Sequence, residues 1–299
     1  MTLQLVMKVA AALHLSVMIV SSQEPSGGIS GSVTDPSGAT VPRTRVIVKH
    51  KQTGQSQVRT TPESGFFTFP ALPAGDYELL AEADGFALLR VPQVKVEIDR
   101  TIRLSLELAI TGSERVEVSG VAETVDHDSN TLGQTVTERQ ITDLPLNGRN
   151  FTQLGLLQAG VVPLTNGLVS AGGSIKATQA FAVNGQRPES NNYLLDGVRN
   201  VNRMDGGFAI RTPIDALQEF RTLTHTAPPE YGSASGAAVS VVTRSGGNSM
   251  HGGLYYFGRN DVVDARNFFS ADVEPLKQHQ FGATLGGPLR RNGLFFFGY

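Results

Sequence analysis

"VNGQRPESNNYLLDGVRN", residues 183–200, sets Asn184-Gly185 and Asp196-Gly197 at either end of a run rich in asparagine and arginine, with Glu189 between them. A sugar-binding or catalytic loop can look like this, and so can scaffolding. Turn chemistry favours scaffolding, because Asn-Gly and Asp-Gly supply the positive φ angles of tight hairpins. Tyr193-Leu194-Leu195 between them reads as a short buried strand.

Composition points the same way. The chain of 299 residues holds 33 Gly and 15 Pro with only 17% charged residues, which favours short strands and many turns over helices. A formal net charge of -2 gives no field for nucleic acid, and the densest basic run, "RTRVIVKHK" at residues 43–51, alternates with Val46 and Val48 as a solvated strand face does. With no cysteine in the chain, disulfides, thiolate metal sites and lipidated cysteine anchors are excluded. Lys8, an apolar run over residues 9–20 and the small residues Ser21-Ser22 resemble a secretory signal peptide covering residues 1–22. That run is shorter than the roughly 20 residues a spanning helix needs, and no later segment approaches that length, so any membrane insertion must use strands.

Residues 23–111 alternate strand and turn, with Asp35-Pro36-Ser37-Gly38, Thr53-Gly54 and Pro73-Ala74-Gly75 as punctuation. Gly31, Val33, Asp35 and Gly38 form "G-x-V-x-D-x-x-G", and Gly65, Phe67, Phe69, Leu72, Gly75 and Tyr77 form "G-x-F-x-F-x-x-L-x-x-G-x-Y". These motifs resemble the carboxypeptidase regulatory-like domain, a transthyretin-like β-sandwich. Phe67, Phe69, Leu72 and Tyr77 are its expected inward-facing bulk. Residues 112–122 read as a linker holding the extended run "ERVEVSG". Beyond it, residues 137–144 and 150–157 read as short helices, the first stopped at Pro145 and the second capped by Asn150. Residues 167–178, rich in Gly, Ser and Ala, read as a loop.

Over residues 123–247 the ordered motifs "ITDLPLNGRNFTQL", "VNGQRPESNNYLLDGVRN" and "IDALQEFRTLTHTAPPEYGSASGAAVSVVTRSGG" resemble the plug domain of TonB-dependent outer-membrane receptors, of the large kind that carries an N-terminal regulatory-like sandwich. Residues 248–299 ("HGGLYYFGRN", "QHQFGATLGGPL", "GLFFFGY") alternate as barrel strands do, with Tyr256 facing opposite to Tyr255 and Phe257, and Phe281 opposite to Gly282. The expected fold is therefore mainly β: a transthyretin-like sandwich, a mixed α/β plug and the first strands of a transmembrane barrel too short to close. The resemblance implies the N-terminal part of an energy-coupled receptor that does no covalent chemistry and needs no cofactor. Its implied partners are TonB, the outer membrane and an external substrate. Arg115, Val116, Glu117, Val118 and Ser119 are the expected TonB-contact strand. Asp196 and Gly197 are the plug hairpin, and Arg187, Glu219 and Arg221 the groups holding the plug in the barrel; ordinary surface charge is the alternative for these three.

Enzyme signatures are incomplete. The six histidines stand outside any zinc-protease spacing, Asp126, Asp128 and Asn130 lack the glycine and final glutamate of a calcium loop, and "YGSASGA" has Ala234 where a nucleophile elbow needs serine. A secreted or surface-bound carbohydrate-binding or adhesive module, with the sandwich as the working part, is the rival reading.

Overall fold

The computed structural model describes residues 26–110, 132–146, 149–163, 181–202, 208–210, 212–225, 227, 231–232, 235–266, 268–269, 271–273 and 275–299. The signal-peptide segment, residues 115–119 and the loop at residues 167–178 lie outside them.

Seven strands open the described chain: β1 (Ser26–Thr34), β2 (Arg45–His50), β3 (Ser56–Thr60), β4 (Phe66–Pro73), β5 (Gly75–Glu82), β6 (Leu89–Val96) and β7 (Thr101–Glu107). They form two sheets, ordered β4-β1-β7 and β3-β2-β5-β6. Period-two alternation puts Val46 and Val48 of β2, Phe67 and Phe69 of β4, Leu79 and Ala81 of β5, and Ile102, Leu104 and Leu106 of β7 into one core between the sheets. β1 pairs antiparallel with β4 and parallel with β7. Gly31 permits that close approach, since a Cβ there would lie 2.0 Å from the Leu104 carbonyl oxygen. Asp35 closes the first turn, its Oδ1 accepting from the amides of Ser37 and Ala39 at 2.9 Å each.

A second core belongs to a five-stranded mixed sheet of order β12-β11-β14-β13-β8, built from β8 (Leu132–Thr137), β11 (Asn192–Leu195), β12 (Val198–Arg199), β13 (Leu217–His225) and β14 (Ala238–Thr243). β11 and β14 run parallel, and the other neighbours run antiparallel. β9 (Val161–Pro163) and β10 (Phe181–Val183) make a separate pair. The single-turn helix α1 (Glu138–Asp143) follows β8 directly, and Gln140 reaches back to the Thr137 amide at 3.1 Å. The second expected helix is a 3₁₀ helix, Phe151–Leu157, opened as expected by the Asn150 side chain, which accepts from the Thr152 amide. Phe151, Phe181, Tyr193, Phe208 and Phe220 form the aromatic centre, with Tyr193 and Phe208 ring centroids 4.2 Å apart.

β15 (His251–Asn260), β16 (Lys277–Arg290) and β17 (Leu294–Gly298) complete the chain as an antiparallel meander. Its connections differ in length. Residues 261–276 join β15 to β16, whereas a turn of residues 291–293 joins β16 to β17.

Candidate functional site

Among the described residues, the asparagines and the aspartate of residues 183–200 serve to hold backbone and turns. Asn184 (φ 50°) with Gly185 (φ 76°), and Asp196 (φ 49°) with Gly197 (φ 77°), are both left-handed pairs, as two-residue hairpins require. Asp196 is tied to β14: its carboxylate accepts from the Thr243 amide at 2.8 Å and from the Thr243 hydroxyl at 2.9 Å. The asparagines hold backbone. Asn184 Nδ2 donates to the Thr224 carbonyl at 2.8 Å, Asn191 bonds both the Phe181 carbonyl and the Ala237 amide, and Asn192 donates to the Tyr231 carbonyl. These bonds satisfy buried peptide groups that would each cost about 1–3 kcal/mol unpaired. Tyr193 is fully buried with its hydroxyl beside Asn191, and burial pushes its pKa up to about 12.

Arg187 is exposed, and its carbonyl accepts from the Ser190 amide. Glu219 and Arg221 are buried on β13, but they reach the sandwich, where sequence reasoning had them reaching the barrel wall. Both Glu219 carboxylate oxygens accept from the Ile98 amide, at 3.3 and 3.4 Å, and Arg221 donates to the Ile98 carbonyl. Ile98 lies in the β6–β7 turn, fully buried, so the two side chains grip both peptide groups of one residue. Desolvation first, and Glu97 second, raise the Glu219 pKa from 4.5 to about 8. Beside this grip lies a cavity of about 200 Å³ lined by Asp76, Lys95, Glu97, Glu138, Arg244 and His251 among others. No group of three His, Cys, Asp or Glu residues suited to a metal ion occurs among the described residues.

A different arginine joins the mixed sheet to the meander. Arg149, in a left-handed conformation (φ 53°) that costs a non-glycine residue about 1 kcal/mol, bonds the Asp215 carboxylate at 2.5 Å and sits over the Phe257 ring at 3.7 Å and the Tyr255 ring at 5.4 Å. Sequence reading did not single it out. Asp215 is 66 residues away, so no local spacing announces the pair.

The face of the meander that meets Arg149 carries Tyr255, Phe257, Gly282 and Thr284, while the opposite face exposes Leu254 (88%), Tyr256 (63%), Phe281 (76%) and Leu285 (51%). One face thus contacts protein, and the other is an apolar surface facing outward.

Residues 28–109 match the carboxypeptidase regulatory-like domain, and residues 242–299 match the outer membrane beta barrel domain. The chain is 27% identical over 258 residues to the TonB-dependent transporter Oar of Myxococcus xanthus. The chain resembles a TonB-dependent outer-membrane receptor. The match takes in 81% of this chain and 23% of Oar, so the chain spans about a quarter of that relative's length. Among solved structures, the siderophore receptor PirA from Acinetobacter baumannii aligns with a TM-score of 0.42 at 21% identity, covering 55% of this chain and 23% of PirA. The ferric enterobactin receptor PfeA of Pseudomonas aeruginosa, as a G324V mutant, aligns with a TM-score of 0.37 at 19% identity, covering 52% of this chain and 22% of that one.

Proposed function

We propose that this chain is the N-terminal part of an outer-membrane, TonB-coupled receptor in which the mixed sheet is a plug gating substrate passage and the meander begins the barrel. The supporting observation is the two-faced meander: Tyr255 and Phe257 receive Arg149 of the plug, while Leu254, Tyr256, Phe281 and Leu285 stand outward where hydrocarbon would lie. Outer-membrane barrels have short periplasmic turns and longer external loops. The turn at residues 291–293 is therefore the periplasmic side, and residues 261–276 the external one. Asn292 of that short turn bonds Asn248, and Asn248 bonds the Gln52 and Thr53 carbonyls of the sandwich, contacts that support a periplasmic sandwich on this reading. Substrate enters from outside, no covalent chemistry is assigned, and residues 115–119 are the strand offered to TonB. Asp196 and Gly197 shape the plug hairpin. Arg187, exposed just before the 3₁₀ turn Pro188–Ser190, is a plug–barrel contact on this reading, alongside Arg149. Separating the membranes of cells that express the full-length gene tests this reading. The protein should travel with the outer membrane and lack residues 1–22; an intact N-terminus in the cytoplasm would overturn it.

A further inference from the structure

Among the described residues, three sandwich turns that bond the rest of the chain lie at one end of the sandwich, and they reach two different bodies. The β6–β7 turn is held by Glu219 and Arg221 of β13 through Ile98, and the β4–β5 turn is held by Gln218 of the same strand, whose Nε2 donates to the Ala74 carbonyl at 3.2 Å. The β2–β3 turn is held at the other body. There Asn248 donates through its amide to the Gln52 carbonyl at 2.9 Å and through Nδ2 to the Thr53 carbonyl at 2.8 Å, and Asn248 and Asn292 bond each other reciprocally.

That third turn is built stiffly. His50 is buried at its base, edge-on to Tyr77 with centroids 4.8 Å apart, and its Nδ1 accepts from the amides of Gln52 and Thr53 at 3.2 Å each. Burial pulls the His50 pKa down, so the ring stays neutral and keeps this acceptor at neutral pH. A turn organised in this way presents its carbonyls outward in a fixed geometry.

From these contacts we infer that the sandwich is a clamp: it ties plug strand β13 to the periplasmic rim of the barrel and restrains the plug until the sandwich lets go of one of the two. The inference rests on the receptor reading above for the names of the two bodies. Its physical content is a bridge that runs from β13 through Ile98 and Ala74 into the sandwich and out through Gln52 and Thr53 to Asn248, in addition to the direct contact that Arg149 makes between the mixed sheet and the meander. In each grip, backbone atoms of the sandwich are bonded by side chains or amides of the other body, so substitutions on the sandwich surface would leave the clamp intact while those at Gln218 or Asn248 would loosen it.

A designed disulfide tests the clamp. A Cβ placed on Gly247 lies 3.4 Å from the Gln52 Cβ, close to the 3.5–4.5 Å range of disulfides, and Gly247 does not have a positive φ that would strain a side chain. The chain has no other cysteine to compete. In the Gln52→Cys/Gly247→Cys protein, oxidation should slow hydrogen exchange of the amides at residues 217–225 about tenfold relative to the same protein reduced. Asn248→Ala, which opens the rim grip, should speed that exchange, and Gln218→Ala should weaken the effect of the disulfide. Failure of the disulfide to form on mild oxidation, or its formation with exchange at β13 unchanged, would overturn the clamp. Because exchange is read on the protein itself, this failure is distinct from failure of the receptor reading, which fractionation decides.

Discussion

Replacing Glu219 by Gln should tighten the contact between the sandwich and the mixed sheet at neutral pH and remove most of its pH dependence. In the docked state Glu219 is 5% exposed, with its pKa raised from 4.5 to about 8 by desolvation and then by Glu97, against smaller opposing contributions from the Ile98 amide, Arg221 and Lys95. A carboxyl whose pKa is raised on docking takes up a proton when it docks. Docking strength is therefore full below pH 4.5 and falls as pH rises towards about 8, where it levels off. Each pH unit in that window weakens docking by about 1.4 kcal/mol, or tenfold, so about 3 kcal/mol is lost by pH 7. Glutamine keeps an oxygen for the Ile98 amide and carries no proton to gain. The Asp76, Glu138, Arg244 and His251 side chains around the adjoining cavity, and Asp99 and Arg100 beside Arg221, are common to both proteins. The assay is hydrogen exchange of the Ile98 amide from pH 5 to 8, divided at each pH by the rate of an unstructured peptide. Protection should fall about tenfold per pH unit in the native protein and stay level in Glu219→Gln. Equal slopes in the two proteins would refute the assignment of this carboxyl.

Arg149→Ala removes both the Asp215 ion pair and the cation over Phe257, and leaves the half-buried Asp215 unpaired; we expect about 2 kcal/mol less stability between the mixed sheet and the meander, read as a lower urea midpoint for release of the mixed sheet. Leu254→Arg places a charge on the outward face of β15 and should lower the yield of membrane-inserted protein, at a cost of about 2–4 kcal/mol if the residue sits near mid-bilayer, whereas the same substitution at Gln57 on the exposed face of β3 should not. On the proposed function, Val118→Pro removes an amide from the expected TonB strand, so the protein should stay in the outer membrane and bind its substrate while uptake stops; unchanged uptake would mean that TonB is engaged elsewhere.

Local physics carried much of the fold into the sequence. Alternation at Val46 and Val48 or at Ile102, Leu104 and Leu106 marks strands with one buried face, and that pattern needs no distant partner to be visible. The positive φ angles of Asn184 and Asp196 follow from the Asn-Gly and Asp-Gly pairs in the same way. The helix starts read at residues 137 and 150, the second with Asn150 as its cap, were equally local, although only the first leads into an α-helix. The site was less legible because its partners are far apart in the chain. Glu219 and Ile98 are separated by 121 residues, and Arg149 and Asp215 by 66. Nothing in "LQEFRTLT" indicates that its charges seek the backbone of a turn in another domain. Family resemblance pointed to Glu219 and Arg221 as important, and the fold supplies a different contact for them. Arg149 in "LNGRNF" has neither periodicity nor a nearby carboxylate, so only the folded chain shows its rings and its aspartate.

Thiol labelling in whole cells tests the central claim, a sandwich clamped beneath a plug on the periplasmic side of an outer-membrane barrel. Val262, 85% exposed in the long β15–β16 connection, and Gln57, exposed on β3 of the sandwich, are each replaced by cysteine in the full-length protein. A maleimide carrying a polymer too large to cross the outer membrane is then added to intact cells. Val262→Cys should be labelled at once, and Gln57→Cys only after the outer membrane is permeabilised. Labelling of Gln57→Cys on intact cells would put the sandwich outside and contradict the account.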